Sequence, residues 1–158
     1  MKRIAIALAL GASTVGLILA YSTQARAVNE PQNVINYRRA VMLSMGAHTG
    51  AIVHVAKGEV SFVGQVVAHA RSINAMSKLI TSIFPKGTGN DTAYETRALP
   101  KIWSDWAGFE AAAKKLQGES AKLVEVAAGG DVAAIGAQLG NMGKACGGCH
   151  KPYRAKKK

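Results

Sequence analysis

The chain has 158 residues, a formal net charge of +11, a pI near 10.0 and two cysteines. Its length allows one domain once an export signal is set aside. The basic excess does not point to nucleic acid: no recognition motif accompanies it, and much of it is terminal, in Lys144, Lys151, Arg154, Lys156, Lys157 and Lys158.

The N-terminus reads as a cleaved signal peptide over residues 1–27. Lys2 and Arg3 form a basic start, Ile4 to Ala20 is an almost unbroken apolar or small-residue run, and Ala25-Arg26-Ala27 is an A-x-A cleavage site before Val28. The run is near the length of a membrane span, but the cleavage site and the lack of another transmembrane candidate favour removal. The expected product is a periplasmic domain over residues 28–158 with no stable membrane insertion. It keeps 17 Lys and Arg against nine Asp and Glu, about +8.

Four segments with helical periodicity follow, and nothing alternates like a strand over a useful length. The first runs from about Asn33 to Lys57 and ends at Gly58, with Val34, Val41, Met45, Ile52 and Val55 on one stripe and Met42 beside it. The second starts near Ser61, a candidate N-cap, and carries Phe62, Val66, Ile73, Met76, Ile80 and Phe84 before Pro85 stops it. Residues 85–98 form the one long connection. A third segment opens at Pro100 and spaces Ile102, Trp106, Phe109, Ala113, Leu116, Ser120, Leu123 and Ala127 as a heptad seam. Gly129-Gly130-Asp131 ends it and caps the fourth, where Val132, Ile135, Leu139, Met142, Cys146, Cys149 and Tyr153 repeat the same rhythm. The pattern predicts an all-α, antiparallel up-down-up-down four-helix bundle, with both cysteines facing its core.

Cys146-Gly147-Gly148-Cys149-His150 is the protein half of a covalent c-type haem site. Two thiols three residues apart lie on one side of a helical turn and can each form a thioether to a porphyrin vinyl group, and His150 then offers a ring nitrogen to the iron as proximal ligand. The glycines between them let the porphyrin approach the backbone. A thioredoxin-like dithiol would sit beside a βαβ pattern, which is missing. Zinc would need two more ligands, and His48, His54 and His69 stand in no paired metal-ligand spacing. A plain disulfide leaves the adjacent His unexplained. One haem c per chain, seated in the bundle core near the C-terminus, is the expectation.

Three runs carry a family resemblance: Tyr37-Arg38-Arg39-Ala40-Val41-Met42, Pro100-Lys101-Ile102-Trp103-Ser104-Asp105, and Cys146 to Arg154, reading CGGCHKPYR. Across the whole mature chain the sequence resembles the class II cytochromes c, the cytochrome c prime family. The resemblance implies Cys146 and Cys149 as haem thioethers, His150 as proximal ligand, Arg38 near a propionate on the distal side and Arg154 flanking the proximal imidazole.

In that family the residue opposite the histidine divides high-spin, five-coordinate proteins that bind nitric oxide or carbon monoxide from low-spin, methionine-closed ones that carry electrons. The corresponding position, four residues after Arg38, is Met42. A thioether is a soft neutral ligand that helps hold iron low-spin; Met is equally a flexible core filler. The surrounding run, with Gly46-Ala47-His48 and Phe84-Pro85, resembles the low-spin branch. The expectation is therefore a monohaem electron carrier with His150 and Met42 on iron, and a gas-binding protein with an open sixth position is the alternative. Met45 is expected to pack in the seam, Arg39, His48, His54 and His69 to be partly or fully solvated, and Trp103 and Trp106 to pack at the core and rim.

An enzyme finds no support, since no second haem motif and no distal acid-base pair can be assigned. The basic end complements the helix dipole and suits redox partners with acidic docking surfaces. The family resemblance also allows a homodimer.

Overall fold

The computed structural model of the chain describes residues 30–157; the signal peptide expected over residues 1–27 lies outside them. The elements are α1 (Pro31–Ala56), α2 (Val66–Ser77), a single turn α3 (Lys101–Ser104), α4 (Trp106–Ala128) and α5 (Val132–Tyr153). α1 packs on α2, α2 on α4 and α4 on α5, and α5 returns to α1, which closes the four-helix bundle that the sequence pattern predicts. Among the described residues the only extended pairing is an isolated antiparallel bridge between Ala98 and Arg154, and no helix is long and apolar enough to cross a membrane.

α1 buries Ile35, Val41, Met45, Ile52 and Val55. It stops at Gly58, whose φ of 71° suits a residue without Cβ. The Gly58 N–H bonds the Val55 carbonyl at 2.9 Å and the Glu59 N–H reaches the His54 carbonyl at 3.0 Å, the paired bonds of a Schellman motif. The second helix starts later than its sequence suggests. Ser61 does not cap it; a 3₁₀ turn over Val63–Gln65 comes first, α2 begins at Val66, and Phe62 is 56% exposed. α2 also ends early, at Ser77, where the Gln117 side-chain amide donates to the Ser77 carbonyl at 3.3 Å and so satisfies one of the acceptors a helix end leaves free. A 3₁₀ turn over Ile80–Ile83 follows.

The third segment is two helices rather than one, broken at Asp105 (φ −128°, ψ 54°). The Asp105 carboxylate caps α4 by accepting from the Gly108 N–H at 3.3 Å, and it accepts from the Tyr153 hydroxyl of α5 at 2.8 Å. A helical Asp105 would forfeit the cap. Gly108 is required beside it: a Cβ there would lie 2.5 Å from Tyr153 Oη and 2.7 Å from both Asp105 carboxylate oxygens. Beyond the break, the heptad seam is buried as its spacing implies, at Phe109, Ala113, Leu116, Ser120, Leu123 and Ala127.

Asp105→Ala removes a cap worth about 1 kcal/mol and strands the buried Tyr153 hydroxyl at about 1–3 kcal/mol. The expected loss is about 2–4 kcal/mol, read as a lower urea midpoint at unchanged m-value.

The same contact has a pH signature. Burial, with the hydrogen bond to Asp105 second, pushes the Tyr153 phenol up to about 12. A phenol raised above its ordinary value of about 10 contributes stability that is intact below pH ~10 and fades as pH rises toward ~12. Thermal melts across that alkaline window are expected to show the fade in the wild type and a flatter profile in Tyr153→Phe.

Candidate haem site

A cavity of about 600 Å³ lies within the bundle, inside the ~300–1,000 Å³ range of cofactor pockets. Its walls are mostly apolar: Met42 and Met45 from α1, Ile73 from α2, Ile80 and Phe84 from the turn beyond it, Ile102, Phe109 and Leu116 from α3 and α4, and Tyr153 from α5. Cys146, Cys149 and His150 all open onto it, as do Arg38 and Arg154. The heptad rhythm of α5 thus carries the attachment motif inward.

The two thiols are half-buried and unjoined. Burial pushes both up, with the neighbouring Cys146 adding to the effect on Cys149. Burial, helped by the charges of Arg154 and Arg97, pushes the His150 imidazole down, toward the neutral form that ligates metal. The helix end that carries it is pinned. Arg154 N–H bonds the His150 carbonyl at 3.1 Å, Leu99 N–H the Tyr153 carbonyl at 3.0 Å, and Ala155 N–H the Arg97 carbonyl at 2.8 Å. Pro152 lies inside the last turn of α5, where it has no N–H to offer the Gly148 carbonyl.

Arg38 is 4% exposed and, among the described residues, has no carboxylate partner. Its guanidinium donates to Thr88 Oγ1 at 2.8 Å, to the Thr88 carbonyl at 2.7 Å and to Thr96 Oγ1 at 2.8 Å, and its Cζ stands 4.6 Å from the Phe84 ring centre. Burial first, and then the adjacent Arg39, lowers it to about 10. A buried cation on a cavity wall, hydrogen-bonded only to neutral oxygens, suits an anionic group of a bound ligand, and a haem propionate is such a group. The clamp through Thr88 and Thr96 has no sequence signal, since both lie in the 85–98 connection far from Arg38.

The remaining candidates separate clearly. Met45 is buried on the cavity wall and Arg39 is exposed at the rim, bonded to the Glu95 carbonyl. Trp103 donates to the Phe84 carbonyl at 2.9 Å, and Trp106, 39% exposed, packs at the rim 5.5 Å from the Phe109 ring centre. His48 does not line the cavity; its Nδ1 faces His69 Nδ1 at 2.8 Å. His54 is exposed and pairs with Glu59. Among the described residues no group of three or more His, Cys, Asp or Glu side chains gathers to hold a metal ion.

The family model described as cytochrome c′ matches residues 33–154. The chain belongs to the cytochrome c′ family. A cytochrome c′ of Rhodospirillum rubrum is 34% identical over 98% of this chain and 99% of its own length. The cytochrome c′ structure from Rubrivivax gelatinosus superposes with a TM-score of 0.71 at 34% identity, covering 79% of this chain and 97% of that one. The nitric oxide complex of a leucine-to-alanine variant of the Alcaligenes xylosoxidans cytochrome c prime superposes with a TM-score of 0.73 at 31% identity, over 81% of this chain and 98% of that one. A leucine-to-glycine variant of the same protein holds carbon monoxide (TM-score 0.72, 30% identity, 80% and 98% coverage). Cytochromes c′ carry covalent haem c, and Cys146 and Cys149 are the only thiols in this chain to hold it.

The expected low-spin electron carrier, with Met42 on the iron, is overturned by these relatives. They are cytochromes c′, and solved members hold nitric oxide or carbon monoxide. A diatomic ligand needs an axial position that no side chain fills, and a bonded Met42 thioether would fill it. Met42 is one wall residue among many, and none of these relatives supports the methionine-closed branch that the run around Met42 suggests.

Proposed function

We propose that this cytochrome c′ is a high-spin, five-coordinate haem protein that binds nitric oxide or carbon monoxide and transforms no substrate. The observation that carries the reading is the nitric oxide complex on the same fold, set beside the apolar cavity of this chain. Haem c, when bound, would supply an iron that takes the His150 imidazole and can bind a diatomic ligand. Cys146 and Cys149 hold the macrocycle by thioethers, and His150 orients its imidazole as proximal ligand from the pinned end of α5. Arg154 flanks that imidazole, and Arg38 neutralises a propionate through its buried guanidinium. Met42 acts as wall: with Met45, Ile73 and Phe84 it keeps water and anions out while leaving room for a small neutral ligand.

The setting is the periplasm, with residues 1–27 removed as a signal peptide and residues 28–158 as the working domain. Exposed Arg39, Arg97 and Arg154 at the cavity rim, with Lys156 and Lys157 beyond, suit an acidic donor that keeps the iron ferrous. Titration of the ferrous holoprotein with nitric oxide, followed by absorption, tests the proposal. One equivalent per haem with a prompt spectral change is expected; no response at stoichiometric nitric oxide would overturn it.

A further inference from the structure

Three of the chain's four histidines lie away from the haem cavity, and the fold brings two of them together. His48 on α1 and His69 on α2 are 21 positions apart in sequence, yet their Nδ1 atoms stand 2.8 Å from each other, with ring centres 5.1 Å apart and planes inclined at 51°. Both rings are half-buried, and rigid helices rather than loops set their positions. Two ring nitrogens at this separation share either one N–H proton or a single ion set to the side of the line between them. A proton is the minimal occupant, with one ring as donor and the other as acceptor. A metal ion beside the nitrogens is the other.

We propose that His48 and His69 form a divalent transition-metal site on the α1–α2 face, suited to copper(II). With metal–nitrogen bonds of about 2.0–2.1 Å, a nitrogen separation of 2.8 Å sets an N–metal–N angle of about 84–89°. That is the cis angle of square-planar or tetragonal coordination. A tetrahedral zinc site would need the nitrogens roughly 3.3 Å apart. Two imidazoles in cis positions suit copper(II) or nickel(II), and copper(II) stands highest in the divalent affinity order. Solvent reaches the His69 side of the pair: His69, though not His48, lines an open cleft of about 210 Å³ with His54 and Gln65. With only two protein ligands, water completes the coordination, and affinity falls far below that of a closed four-ligand site.

The test is titration of the haem-loaded protein with copper(II) alone at pH 7.5, read by calorimetry and by the copper signal in electron paramagnetic resonance. One ion per chain is expected, with an axial spectrum showing hyperfine coupling to two nitrogens. His48→Ala and His69→Ala are each expected to weaken binding by more than the ~10–100-fold that outer-shell partners contribute, while His54→Ala binds as the wild type does. His48→Gln and His69→Gln, which keep side-chain bulk, repeat the test if an alanine variant loses its haem absorption. Binding and spectrum that survive substitution of either histidine, or no copper binding above that of a variant carrying both His48→Ala and His69→Ala, would overturn the site and leave a hydrogen-bonded pair.

Discussion

Replacing Met42 by Ala is expected to speed carbon monoxide uptake by the ferrous protein about tenfold or more, equivalent to ~1.4 kcal/mol off the barrier to entry, while the absorption spectrum stays high-spin. The side chain is half-buried, lines the cavity from α1, and is flanked there by Leu43 and Met45. As wall, it restricts the space a diatomic ligand must enter, and truncation to Ala opens that space without altering the set of iron ligands. Partial burial limits the stability cost to roughly 1–2 kcal/mol, below the 2–5 kcal/mol of a fully buried Met→Ala change. Stopped-flow mixing with carbon monoxide reads the rate, and the ferric spectrum reads the spin state. A wild-type low-spin spectrum that turns high-spin in the variant would mean that Met42 is a ligand after all.

The second large effect is expected from Cys146→Ser combined with Cys149→Ser. The wild-type polypeptide is expected to keep its haem through denaturing electrophoresis, and the double variant to lose it. Burial of the macrocycle against the apolar cavity walls stabilises the folded state, so its loss is expected to cost about 4 kcal/mol or more, a fall in Tm on the order of 15 °C for a domain of this size. The cavity makes the effect large, because Ile73, Phe84, Phe109 and Leu116 line a void of about 600 Å³ when nothing fills it and forfeit their dispersion contacts on that side. Calorimetry and near-ultraviolet circular dichroism would follow the loss of fixed tertiary packing.

Local chemistry was the most legible part. Cys146 to His150 fixes its own spacing within one helical turn, and the heptad rhythm of α4 and α5 identifies their buried faces before any tertiary contact is known. Long-range contacts were not legible. The break at Asp105 depends on the Tyr153 hydroxyl 48 residues away. The clamp on Arg38 depends on Thr88 and Thr96, in a connection whose composition says only that it is not helix. The His48–His69 pair is visible only after α1 and α2 pack. α2 starts beyond Ser61 because a serine before an apolar run caps a helix only where the backbone turns to meet it, and residues 57–62 spend that length leaving α1. Met42 failed for a different reason. Residue type shows that a thioether is available; whether it bonds iron is a matter of reach and packing, which the sequence run around Met42 does not encode.

The most direct test of an open sixth position is the electron paramagnetic resonance spectrum of the resting ferric holoprotein, recorded without added ligand. An axial high-spin signal is the expected result, with His150 as the single protein ligand on the iron. A rhombic low-spin signal that disappears in Met42→Ala would contradict it and return Met42 to the iron.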